Sequence, residues 1–306
     1  MCAPGEAFLL RGLSGEPALL VRRQTRAGPP VLYVHGATFP SALSAAYRFA
    51  GRSWMDDLNA HGFDAWAFDF AGFGGSQRYA AMQGGMAGEP VGRAPQASAQ
   101  IARVVDHIAA ASGHDRVSII AHSWGTMPAC LFAARCPERI ERLCLFGPVV
   151  QRETAQAEEP QQTSWRLVTV AEQLARFIED VPLGHAPVLI EPLLAQWGPA
   201  YLASDRDALA RAPPAVKVPN GPRADIHAAW SGKLIYRPRD ISVPTLIVRG
   251  EWDSVTNDLD AAWLLARIDH RIKRDVKVAK GTHLMHLEHS REDLFAAVNE
   301  FLGHAP

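Results

Sequence analysis

No stretch of this chain reaches 18 consecutive apolar residues, so a membrane-spanning helix is excluded. Cysteine is scarce. Cys2, Cys130, Cys136 and Cys144 are all there are, with no close C-x-x-C pair, so neither a disulfide framework nor a zinc site is expected. Cys130 and Cys136 fall on an apolar helical stretch, where cysteine packs as a small hydrophobe. Neither sign of charge is in excess: 31 Lys and Arg against 32 Asp and Glu leave a net charge of -1. Nothing in that balance would draw nucleic acid or an anionic membrane. No basic segment precedes the short Phe8-Leu9-Leu10 run, so no signal peptide is expected and the chain reads as cytoplasmic and reduced. The G-x-G-x-x-G and G-x-x-x-x-G-K-[ST] spacings are missing, which removes the 72–75 glycine run as a phosphate cradle. No metal and no cofactor is expected.

What is present is ordinary in amount and ordered in pattern. Hydrophobic content of 48% in 306 residues suffices for a substantial core. Residues 8–11 and 18–23 read as an antiparallel strand pair across a Gly12/Gly15 turn. Apolar runs at 31–34, 65–70, 117–120 and 140–146 alternate with helical patterns at 53–61, 96–111 and 127–135. That alternation predicts an α/β fold: a mostly parallel twisted β-sheet covered on both faces by helices. Residues 80–95, rich in Gly, Met and Ala, read as a loop.

The rhythm breaks between about 148 and 238, which holds 11 of the 22 prolines. Weak helical patterns at 168–178 and 188–196 suggest short helices joined by stiff turns. Beyond it come a strand at 244–249, a helix at 258–268, a strand at 274–278 and a closing helix at 291–302. The expected division is a first core part at 1–147, an inserted cap at 148–240 and a second core part at 241–306.

The chemistry concentrates at Ile119-Ile120-Ala121-His122-Ser123-Trp124-Gly125-Thr126, a buried strand running into a helix with serine at the corner. The stretch departs by one residue from the G-x-S-x-G nucleophile elbow, Ala121 replacing the first glycine. Such a corner holds the serine backbone in strain and presents its hydroxyl, provided the residues two before and two after are small. A serine nucleophile needs a base, and the base an orienting acid. Asp253 follows the 244–249 strand directly, and His283 follows the last strand through Gly281-Thr282. Ligand sites of open α/β sheets collect at these carboxyl ends. His286 and His289 compete with His283 as base; Glu251, Asp258 and Asp260 compete with Asp253 as acid. His122 and His35 read as hydrogen-bonding neighbours, and Asp69 as the cap of its glycine-rich turn.

The order Ser123, Asp253, His283, with His35-Gly36 and Asp69-Phe70-Ala71-Gly72-Phe73-Gly74-Gly75-Ser76 before it, resembles the α/β-hydrolase fold superfamily with a helical cap. The likeness runs from about residue 8 to 302. It implies an oxyanion hole from the backbone N–H groups of Ala37 and Trp124. It further implies a serine hydrolase that cleaves a carboxylic ester, or a related acyl bond, of a small to medium apolar substrate. Lactone, thioester, amide or C–C cleavage and acyl transfer would use the same three residues. A binding module on a retired scaffold would instead show a damaged triad. Cap aromatics Trp165, Trp197, Tyr201 and Trp230 are the candidates for lining the substrate pocket.

Overall fold

The computed structural model describes residues 5–12, 15–49, 51–153, 162–186, 188–189 and 193–303. Its main sheet opens with β1 (Glu6–Leu10), β2 (Leu19–Gln24), β3 (Pro30–Val34) and β4 (Asp64–Phe68). It continues with β5 (Val117–His122) and β6 (Ile140–Phe146); a smaller ribbon, β7 (Trp165–Thr169) and β8 (Ala215–Pro219), stands apart, and β9 (Thr245–Gly250) and β10 (Lys273–Val278) complete the main sheet. The spatial order is β1-β2-β4-β3-β5-β6-β9-β10, antiparallel across the first two pairings and parallel from β4 onward.

Burial explains the apolar runs. β3, β4 and β5 are buried at every position, as strands covered on both faces must be. Successive side chains of β3 go to opposite faces. Leu32 and Val34 join one core with Ile101, Val104 and Ile108 of α2 (Ala94–Ser112) and with Met127 and Cys130. Val31 and Tyr33 join the other with Trp54 and Leu58, and with Leu294 and Val298 near the chain end. Trp54 and Leu58 lie on α1 (Trp54–Ala60), and Met127 and Cys130 on α3 (Thr126–Arg135). Cys130 and Cys144 are buried and Cys136 half-buried, all as free thiols; Cys2 lies outside the described residues.

Between β6 and β9 the chain leaves the sheet. This excursion carries β7, α4 (Val170–Ile178), α5 (Leu193–Ala203), β8 and α6 (Gly221–Trp230). The sequence pattern predicts helices alone here, and the antiparallel β7–β8 ribbon corrects it. The helix expected from 168 begins at Val170, because Thr169 caps it: its hydroxyl accepts from Glu172 N at 3.2 Å while Glu172 accepts from Thr169 N at 2.6 Å. The helix expected over 188–196 is displaced to α5. Leu189 instead bridges Glu288 in an isolated β-contact. After β9, α7 (Asp258–Arg267) returns to the core, and α8 (Arg291–Gly303) ends the described chain. No described helix is long and apolar enough to cross a membrane.

Candidate active site

The carboxyl ends of β5, β9 and β10 bring the three predicted residues together. Ser123 stands at the β5–α3 corner with φ of 56°, one of two non-glycine residues with positive φ among the described residues. Such a conformation costs an L-residue roughly 1–2 kcal/mol and persists only where its surroundings impose it. They do so through Gly125: a Cβ there would lie 2.3 Å from the His35 carbonyl oxygen, so only glycine lets α3 start this close to the β3 loop. Ala121 needs no such allowance; its methyl is fully buried in the core.

His283 Nε2 lies 2.8 Å from Ser123 Oγ, and His283 Nδ1 lies 3.0 Å from both Asp253 oxygens. Asp253 Oδ1 also accepts from Val255 N at 2.8 Å and Thr256 N at 3.0 Å, so the carboxylate is fixed from behind. All three residues are buried. This geometry selects the tautomer in which Nδ1–H donates to Asp253 and Nε2 accepts the serine proton.

The competing residues are engaged elsewhere. Glu251 accepts from Lys280 N, Asp258 pairs with Arg249 and Lys277, and Asp260 accepts from Asn257 N, the cap of α7, and pairs with Arg152. His289 is exposed. His286 is buried with neither ring nitrogen partnered among the described residues, packed against Trp54, Phe146 and His122. Burial, and then neighbouring His283, push its pKa down to about 3. His122 stacks on Phe146 at 4.3 Å, and its Nε2–H donates to the His283 carbonyl; burial lowers its pKa well below 6.5. His35 Nδ1–H donates to Gly36 O and its Nε2 accepts from Phe70 N, joining the loops after β3 and β4. Asp69 accepts from Gly75 N across its turn.

Ser123 opens into a cavity of about 330 Å³. Ala37 is on its wall. Trp124 follows the serine in the first helical turn, where backbone N–H groups lack intrahelical acceptors, and its indole Nε1–H donates to Asp225 Oδ2 at 3.0 Å. Of the four cap aromatics, Trp230 lines the cavity and the other three do not. Trp197 is fully buried between Phe39, Phe177 and Tyr201, with its Nε1–H on Leu43 O; Tyr201 stacks on it at 5.1 Å. They belong to the core that joins the excursion to the loop after β3. Trp165 turns outward instead, under Lys217 Nζ at 3.9 Å and bonded to Gly85 O.

The apolar lining also carries cations. Arg166, Arg176 and Arg223 join Phe39, Ile226, Trp230, Val255 and Leu284 on the wall. Sequence reasoning passed over these arginines, since three positions spread over 58 residues carry no local pattern. It passed over Gly147 as well. This residue ends β6 with φ of 54°, and a Cβ there would lie 2.9 Å from the His283 ring and 3.0 Å from Asp253 Oδ2. A glycine between a buried strand and Pro148 was the available signal. Glu288 is the third omission: it accepts from Thr282 N and Oγ1 beside the base, and burial pushes its pKa up to about 7.

Comparison with known proteins agrees with the topology. The model of the serine aminopeptidase family S33 matches residues 31–290. Among solved structures, 2-hydroxy-6-oxo-6-phenylhexa-2,4-dienoate hydrolase from Rhodococcus sp. strain RHA1 superposes with a TM-score of 0.65 at 19% identity, over 98% of this chain and 100% of that one. Epoxide hydrolase VrEH1 from Vigna radiata gives 0.63 at 14%, covering 97% and 98%. The enol-lactonase from Burkholderia xenovorans LB400 gives 0.60 at 15%, covering 94% and 97%. Such distant likenesses establish the α/β-hydrolase fold. No curated protein sequence matches the chain.

Proposed function

Because the chain belongs to the serine aminopeptidase S33 family and is an α/β-hydrolase, we propose that it cleaves a carboxylic ester or related acyl bond through Ser123, His283 and Asp253. The observation that carries this is the continuous hydrogen-bonded line from Ser123 Oγ through the His283 ring to Asp253, with the serine held at positive φ.

The steps follow from that line. His283 Nε2 takes the Ser123 proton as Oγ attacks the substrate carbonyl, and the imidazolium that forms is stabilised by Asp253. Charge develops on the carbonyl oxygen, for which this reading takes the Ala37 and Trp124 amides as donors; two donors of this kind contribute several kcal/mol. The imidazolium returns its proton to the leaving group, giving an acyl-enzyme. Water, deprotonated by the same histidine, then releases the acid and restores Ser123. Residues 148–240 act as a cap whose β7, α4 and α6 side chains close the cavity over the serine.

A serine-directed fluorophosphonate tests the assignment. The expected result is one adduct, on Ser123, absent from the Ser123→Ala variant, with kcat on p-nitrophenyl esters lowered by roughly 10⁴ to 10⁶ in that variant. Labelling that persists in folded Ser123→Ala protein overturns it.

A further inference from the structure

Arg166 of β7, Arg176 of α4 and Arg223 of α6 reach the Ser123 cavity from three separate elements. Among the described residues, no aspartate or glutamate lines it. Asp253 lies behind His283, already bonded to that ring and to two amides. Glu172, the acid that bears on Arg166, is held by Thr169 N and Oγ1 at the start of α4. Glu179 meets Arg176 at 3.8 Å, with both side chains largely in solvent. Arg166 and Arg223 form no ion pair among the described residues, and Arg166 Nε is buried without a hydrogen-bond partner. Burial, then the nearness of Arg223, lowers the pKa of Arg166, and Arg176 sits close enough to His122 to depress that ring further.

Like charges gathered on a half-enclosed wall repel, and a folded protein ordinarily gives each a counter-charge. Guanidinium groups are also the side chains best shaped to grip a carboxylate by paired N–H donors. Two guanidinium groups without a counter-charge, beside a third that meets only Glu179, face the nucleophile and make a place kept for an anion that arrives with the substrate. We propose that the cavity takes acyl substrates bearing a second, unreacted carboxylate, held by Arg166 and Arg223 with Arg176 at the outer edge, while the acyl carbon faces Ser123. The acyl chemistry rests on the serine-hydrolase reading above; the anion site does not. A cavity of about 330 Å³ sets the scale: half-esters of short dicarboxylic acids, or esters of small carboxylated phenols.

The test separates binding from cleavage. Calorimetric titration of Ser123→Ala protein compares monoethyl adipate with diethyl adipate, and 4-acetoxybenzoate with its methyl ester. The pairs put the carboxylate on the acyl side and on the leaving-group side respectively. In at least one pair the charged member is expected to bind roughly 10- to 100-fold tighter. That ratio should fall towards one in Arg166→Gln or Arg223→Gln and at high salt, and stay unchanged in Arg116→Gln, at the amino end of β5. Arg223 is exposed, so its variant carries the test if Arg166→Gln does not fold. Equal binding within both pairs, no measurable binding, or a preference indifferent to both arginine variants overturns the proposal. Wild-type turnover of neutral esters without charge preference leaves the hydrolase standing and removes the anion site. Arginine-dependent binding without turnover or fluorophosphonate labelling does the reverse.

Discussion

Beneath the cavity, where the sheet strands end, two carboxylates are tied down: Asp253 by a ring and two amides, Asp69 by Ser41 and Gly75. On the wall supplied by the excursion, Arg166 and Arg223 meet no acid among the described residues. The floor's groups are held by backbone that parallel pairing already fixes, so their geometry survives without substrate. The wall's groups are oriented by a two-stranded ribbon and short helices, and their charge awaits a ligand. In the proposed function, attack belongs to the first region and selection to the second.

Breaking the floor should have the largest effect. Asp253→Asn keeps the shape but removes the acceptor that fixes the His283 tautomer, and kcat should fall roughly 10⁴-fold with little loss of stability; steady-state kinetics beside calorimetry checks both. Trp197→Ala, in the core that joins the excursion to the loop after β3, should instead cost roughly 3–5 kcal/mol in denaturant unfolding, because a fully buried indole is deleted. The pH dependence of stability sharpens the contrast further. His122 and His286 have depressed pKa values, so the stability they carry is present above their ordinary 6.5 and lost as pH falls below it, for His286 through about 3. Glu288 is raised from 4.5 to about 7, so its contribution is full below 4.5 and lost as pH rises through 7. Two histidines oppose one carboxylate between those values, so Tm should drop as pH falls below about 6.5. His286→Phe should shallow that slope. The smallest effect is expected of Trp165→Ala, which removes the contact with Lys217 and the indole hydrogen bond to Gly85 O, together worth about 1–2 kcal/mol by unfolding.

Residues that follow a strand were legible in the sequence, because a buried apolar run announces its own end. Ser123, Asp253 and His283 each stand within a few positions of such an end, and the structure brings them into hydrogen-bond contact. The antiparallel β1–β2 opening was legible for the same reason. The excursion was not. Val168 and Thr169 read as the start of a helix until Thr169 and Glu172 are seen as a capping pair, and the partner of Thr169 in the ribbon lies 46 residues further along at Ala215. Large aromatics were assigned to the pocket by size, yet size favours burial in a core, and Trp197 and Tyr201 went there. The arginines share no spacing at all; only the crossing of β7, α4 and α6 unites them.

Asp225 gives the two regions a common hinge pin. The same carboxylate on α6 holds the Trp124 indole beside the nucleophile, the Ala94 amide that begins α2, and Arg93, and burial raises its pKa. Arg223, Ile226 and Trp230 ride on that helix. The α6 side of the cavity is therefore bolted to the corner that carries Ser123, and any widening for a substrate must come from the β7–α4 side. A ligand that pushes on α6 pushes on the nucleophile as well, so fit at the wall is felt directly as alignment at the serine.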